Sequence, residues 1–239
     1  MQADTLTFDQ VHLGVPDPAA AARWYVQHLG AAPGDHVDRI WFGATRVIFL
    51  QNASPAPSDG AAIDHFALSC ADVAAQVSSL AGSNARVATP VSDMPGLGRY
   101  AYIEDPWGAK IQLVEERGPI TFHHVHLRAP DPDQLRAWYL DRFGGTAAKL
   151  KGRLDGIQYG DVWLFVDQGA ADPSRGHTID HVGWRMPDLT AKASELKSKG
   201  GLTFTTEPKP GPPGAYSPVL MSFAEDPWGV KIELLQRRD

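Results

Sequence analysis

The chain has 239 residues, 22 Lys+Arg against 28 Asp+Glu, a formal charge of -6 and 43% hydrophobic residues. That is enough to bury one large or two small cores, and too mixed for wholesale disorder. Mild acidity without Lys/Arg runs argues against nucleic acid or an anionic membrane as partner, and no apolar run approaches the ~18 residues of a membrane span.

The opening residues, Met1 to Phe8, lack the basic, apolar and small-residue blocks of a signal peptide. The single cysteine, Cys70, excludes an internal disulfide framework and a thiolate zinc centre, and falls on an apolar face with Phe66 and Leu68 as an inert thiol. The expectation is a cytoplasmic protein, monomer or homodimer, that handles a small molecule.

Residues 11–15 alternate as a strand does. A helix follows, with Asp17 as its cap, Pro18 at its first position and Gly30 at its end. A strand over 46–50 and a Pro/Gly/Ser-rich linker, Asn52–Gly60, lead to a second strand over 65–70. The second helix runs from about Asp72 to Leu80 and stops by Gly82. A loop at Pro90–Gly98, a turn at Asp105-Pro-Trp-Gly108 and a strand over 110–114 complete this half.

The pattern then recurs. Phe8 to Pro18 returns as Phe122 to Pro132, Ile63-Asp-His65 as Ile179-Asp-His181, and Glu104 to Gln112 as Glu225 to Glu233. Helices are expected at 132–143 and 188–199 and strands at 162–166 and 230–235. The second linker is Gln168–Gly176. Pro208–Pro218 is too proline-rich for a ladder strand and reads as a long loop or lid. The chain is therefore α+β, with four tandem β-α-β-β-β modules in two domains, 1–118 and 119–239. The sequence leaves open whether modules pair 1 with 2 and 3 with 4, or cross over.

Alternate residues of a strand share a face. Val125, Leu127 and Ala129 oppose His124, His126 and Arg128; Val182, Trp184 and Met186 oppose His181, Gly183 and Arg185; Ile232 and Leu234 oppose Lys231 and Glu233. If the polar faces converge, His124, His181 and Glu233 supply two imidazoles and a carboxylate, a set that binds Fe, Mn, Ni, Co or Zn with open positions. His126 beside them suits a general base or an orienting group, and Arg128 and Arg185 suit an anionic substrate group. The matching first-half positions hold Gln10, His65 and Gln112, with His12 two residues further on. Lacking an anionic ligand, that half reads as structural or as a metal-free cup, and His65 as a hydrogen-bonded buried histidine.

The His-x-x-Leu-x-x-Pro-Asp opening with Trp-Tyr, the Ile-Asp-His strand and the Glu-Asp-Pro-x-Gly ending resemble the vicinal oxygen chelate superfamily of glyoxalase I, bleomycin-resistance proteins and extradiol dioxygenases. The resemblance covers essentially the whole chain. It implies cup-shaped sheets around one divalent metal, with ligands at His124, His181 and Glu233. It leaves three chemistries: a metal-dependent lyase or isomerase on an oxygen-chelating substrate, an iron ring-cleaving dioxygenase, and a metal-free drug-binding protein. Phe223 stands where the extradiol pattern carries Tyr, which favours the first; Tyr102 is its first-half counterpart.

Overall fold

The computed structural model describes residues 4–212 and 218–237. Module 1 comprises β1 (Thr7–Val15), α1 (Pro18–Leu29), β2 (Ala32–Pro33), β3 (Arg39–Phe42) and β4 (Thr45–Gln51). Module 2 comprises β5 (Ile63–Cys70), α2 (Val73–Ser79), β6 (Arg86–Met94), β7 (Gly98–Glu104) and β8 (Lys110–Glu115). Module 3 comprises β9 (Thr121–Ala129), α3 (Pro132–Phe143), β10 (Thr146–Leu150), β11 (Leu154–Tyr159) and β12 (Val162–Gln168). Module 4 comprises β13 (Ile179–Arg185), α4 (Leu189–Lys199), β14 (Thr203–Pro210), β15 (Leu220–Glu225) and β16 (Lys231–Gln236).

Each helix starts at an aspartate whose carboxylate accepts a backbone N–H three residues on: Asp17, Asp72, Asp131 and Asp188. Gly30 ends α1 in the left-handed region at φ 67°, which is open to it because it has no Cβ. No helix among the described residues is long and apolar enough to cross a membrane.

The strands form two eight-stranded mixed sheets, and the modules cross over. One sheet has the order β14-β15-β16-β13-β1-β4-β3-β2, joining modules 4 and 1; the other has β10-β11-β12-β9-β5-β8-β7-β6, joining modules 3 and 2. The division into 1–118 and 119–239 follows the repeat, but neither half closes a sheet of its own. Packing accounts for the crossing. Phe8 on β1 meets Trp184 on β13 edge-on at 5.4 Å, and stacks at 5.6 Å on Phe122 of β9, which stacks at 5.6 Å on Phe66 of β5. The four central strands thus share one aromatic column, and a single apolar cluster draws on all four modules.

The helices tie each half together in the other direction. Tyr25 on α1 donates to Asp105 in the β7–β8 turn at 2.7 Å, and Tyr139 on α3 donates to Asp226 in the β15–β16 turn at 2.8 Å. Trp24 packs edge-on against Trp107 and Trp138 against Trp228, so these tryptophans serve packing. Burial pushes the Asp105 and Asp226 carboxyls up to about 6, against the restraint of the tyrosine hydroxyls and turn amides. Removing a hydroxyl, as in Tyr25→Phe or Tyr139→Phe, leaves a buried carboxylate oxygen unpaired. Each change should cost about 1–3 kcal/mol in urea unfolding. Because the folded pKa lies above the unfolded one, the loss should be larger at pH 7, where the carboxylate is ionised, than at pH 5.

Three local expectations change. The linkers are ordered and pair with each other, through bridges Ala56–His177 and Ala61–Asp172. Their serines are buried: Ser58 Oγ donates to the Asp64 carbonyl and Ser174 Oγ to the Asp180 carbonyl. The expected loop at 208–218 is strand as far as Pro210; β14 is the edge of its sheet, where a missing N–H costs no ladder bond. Residues 213–217 of that segment lie outside the described residues. Pro90 likewise sits on the edge strand β6.

Candidate metal centres

In the first sheet, alternation on β1 sends Gln10 and His12 inward while Val11 and Leu13 enter the apolar core. The antiparallel register sets His12 opposite His181 of β13, and their rings stack with centroids 4.0 Å apart. β16 runs parallel to β13 and delivers Glu233. Its Oε2 lies 3.2 Å from His12 Nε2 and 3.6 Å from His181 Nε2, and accepts the Gln10 amide at 2.5 Å. Gly183 makes this approach possible, because a Cβ there would stand 2.7 Å from Gln10 Cγ.

The donor atoms of His12, His181 and Glu233 all lie within 4.8 Å of one another, and all three residues are buried. Nδ1 of His12 has no hydrogen-bond partner, and Nε2 of His12 and of His181 face the Glu233 carboxylate oxygen. The other nitrogen of His181 is fixed: Nδ1 donates to Asp180 at 2.6 Å, and Lys231 holds that carboxylate at 2.5 Å. Burial, with the neighbouring His181, lowers His12 to about 4 despite Glu233, so the ring is neutral at pH 7 with a lone pair to give. Burial pushes the Glu233 carboxyl up, but the contacts to His12 and His181 outweigh this and hold it well below the ordinary carboxylate range. Two buried imidazoles beside one buried carboxylate fit a divalent ion.

Above the donors lies a cavity of about 300 Å³ lined by Arg39, Arg46, Ile48, Met221, Phe223 and Arg237. Arg237 donates to Asp9 at 2.8 Å and to the Gln10 side-chain oxygen Oε1 at 2.8 Å. Arg46 lies over the Trp41 ring at 4.7 Å, and its buried Nε has no partner.

The second sheet repeats the plan with different donors. His126 of β9 faces His65 of β5 in register, with ring centroids 4.5 Å apart, and His124 lies two residues before His126. The donor atoms of His65, His124 and His126 again lie within 4.8 Å of one another. Gln112 takes the place of Glu233, and Tyr102 packs edge-on against His65 at 5.1 Å where Phe223 packs against His181 at 5.4 Å. Burial lowers His65 to about 4, assisted by His126 and opposed by Asp64, and burial with three neighbouring histidines lowers His124 well below its ordinary value.

The structure therefore brings His181 and Glu233 together but places His124 on the other sheet, because β13 pairs with β1 and not with β9. His12, which the sequence reading set aside with the first half, stands in its place. The signal was present: His12 and His126 occupy equivalent inward positions 114 residues apart. Each cluster takes one module from each half. His126 belongs to the second cluster. Arg128 lies outside both histidine cavities, bound to Asp64 at 3.0 Å. Arg185 also lies outside them, half exposed and 3.8 Å from Asp9. The arginines at the first cavity are Arg39, Arg46 and Arg237, and Arg46 and Arg237 had no sequence signal beyond their charge. Cys70 is buried, and burial pushes its thiol up to about 11, as expected of an inert group.

A family model described as the glyoxalase/bleomycin resistance protein/dioxygenase superfamily matches residues 7–113 and again 121–234. A probable lactoylglutathione lyase of Synechocystis is 26% identical over 125 residues, 47% of this chain and 92% of the relative. A probable chloroplastic lactoylglutathione lyase of Arabidopsis thaliana is 26% identical over 185 residues, 71% of this chain; that match spans 52% of the relative, about half its length. Among solved structures, glyoxalase I from Zea mays superposes with a TM-score of 0.76 at 18% identity, covering 97% of this chain and 92% of that one. A Bacillus subtilis protein described as a putative dioxygenase gives 0.68 at 16%, covering 99% and 87%. At these identities the solved structures speak for the fold.

Proposed function

The chain belongs to the glyoxalase/bleomycin resistance protein/dioxygenase superfamily, and on that premise we propose that it is a divalent-metal-dependent lyase or isomerase centred on His12, His181 and Glu233. The carrying observation is the donor set itself: two imidazoles and one carboxylate, buried and mutually close, at the floor of an arginine-lined cavity. A divalent ion bound there would supply Lewis acidity toward a small substrate with adjacent oxygens.

The chain's own groups would do the rest. Asp180 fixes the His181 tautomer through Nδ1, leaving Nε2 to act as a ligand. The carboxylate of Glu233 compensates the charge of the ion. Arg46, its Nε unpartnered, suits an anionic group on the substrate, and Ile48, Met221 and Phe223 form an apolar wall that excludes water. The names of the sequence relatives make lactoylglutathione chemistry the first activity to assay.

The test measures lactoylglutathione formation by the full chain, stripped of metal and then supplied with zinc, nickel, cobalt, manganese or iron. Metal-restored turnover supports the proposal; none with any of these ions contradicts it. Asp180→Asn should weaken metal binding at this centre by about 10–100-fold, because it frees the His181 ring. Equilibrium dialysis checks this, and an unchanged affinity would count against the assigned ligand. The same donors would serve iron(II) oxygen chemistry. Phe223, which has no hydroxyl to offer beside His181, favours the lyase or isomerase.

A further inference from the structure

We infer that the chain carries a second metal centre, unlike the first, in which His65, His124 and His126 hold a zinc-type ion through three imidazoles. The inference stands apart from the function proposed for the first centre.

Each of the three rings has one nitrogen fixed and the other buried and unpartnered. His65 Nδ1 donates to Asp64 at 2.7 Å, and its Nε2 has no partner. Asp64 is itself held by Lys110 at 2.9 Å, Arg128 at 3.0 Å and the Gly60 amide at 3.0 Å, so it serves as a brace and not as a ligand. His124 Nδ1 is 2.7 Å from His123 Nδ1, and His123 Nε2 is 3.7 Å from Glu116. Nε2 of His124 has no partner, and the tautomer with the proton on Nδ1, shared with His123, frees that nitrogen to bind an ion. His126 has the opposite polarity: Nε2 sits 3.1 Å from Asp167, and Nδ1 is the unpartnered atom.

Each ring thus keeps one buried, unpartnered nitrogen, and the three rings bring one donor atom each within 4.8 Å of the others. Buried nitrogens left without partners are unfavourable, and like lone pairs facing each other offer no mutual hydrogen bond. A cation among them satisfies all three at once.

The donor set selects the ion. The first centre offers carboxylate oxygen beside imidazole and suits manganese or iron as well as zinc. The second offers nitrogen alone, with Gln112 where the carboxylate would be, and suits zinc, cobalt or nickel over the oxygen-seeking manganese or magnesium. Three imidazoles leave a coordination position open. A cavity of about 430 Å³, lined by Tyr102, Arg136, Arg153, Phe165 and Asp167 among others, adjoins it.

The test counts ions bound to the metal-stripped full chain by equilibrium dialysis and elemental analysis, with zinc(II) and manganese(II) as probes. The wild type should saturate at two zinc ions but one manganese. His124→Gln and, separately, His126→Gln should each lower the zinc count from two to one, with the fold checked by circular dichroism. Glu233→Gln should keep one zinc, held by the second centre. A wild type that saturates at one zinc overturns the inference, as does a folded His124→Gln or His126→Gln variant that still takes two. A second manganese ion bound at the imidazole cluster overturns the donor argument. If Glu233→Gln keeps both ions, the reading of the first centre fails while the second is still judged by its own variants.

Discussion

Replacing Glu233 with Gln is expected to weaken metal binding at the first centre by more than about 100-fold, since loss of a mere outer partner of a ligand already costs about 10–100-fold. Glu233 is the one carboxylate grouped with His12 and His181 among the described residues, and it is buried. Its Oε2 touches three groups at once: the Gln10 amide at 2.5 Å, His12 at 3.2 Å and His181 at 3.6 Å. The neutral carboxamide removes the negative charge that offsets a dication while changing the volume little. Turnover should fall with occupancy and recover in part at high metal concentration. Isothermal titration of the metal-free variant makes the measurement. An affinity within a few-fold of wild type would mean that His12 and His181 do not share their ion with this residue.

The second large effect is on stability. Trp184 is fully buried, and its ring lies 5.4 Å from Phe8, 5.0 Å from Phe143, 5.8 Å from Tyr139 and 6.0 Å from Tyr159. It therefore joins β13 to modules 1 and 3, at the point where the modules cross. Trp184→Ala should cost about 3–5 kcal/mol, the transfer free energy of a large aromatic plus the cavity it leaves. Trp184→Phe should cost clearly less. It keeps most of the apolar contact and removes an indole N–H that is buried without a partner. Urea unfolding of both variants measures this. A loss near zero for Trp184→Ala would show that the crossing does not depend on the aromatic column.

Most of the local structure could be read from residues whose signals are short-range. The aspartate caps and Pro18 placed α1, the Asp-Pro-Trp-Gly turns were placed by their own chemistry, and the inward histidines followed from a period of two. Strand partners are a different kind of information. The polar face of His124 on β9 is legible from a period of two, but whether β13 or β5 lies beside it depends on Phe8, Phe66, Phe122 and Trp184 meeting in three dimensions. The strand pairing sets His12, and not His124, beside His181 and Glu233. Gln10 and Gln112 belong to one half of the sequence but stand on different sheets: Gln10 donates to Glu233, and Gln112 occupies the position equivalent to Glu233. Arg128 and Arg185 shared the polar faces, yet Asp64 and Asp9 draw them aside. Prolines misled at β14 because edge position, which excuses a missing N–H, is a property of the whole sheet.

The central claim is that a metal centre is assembled across the repeat, from β1 of module 1 with β13 and β16 of module 4. Anomalous diffraction from crystals of the metal-loaded full chain tests it most directly. The account predicts an anomalous peak at about 2.0–2.2 Å from a nitrogen of His12, a nitrogen of His181 and an oxygen of Glu233. A loaded crystal with no peak among these three residues would contradict it.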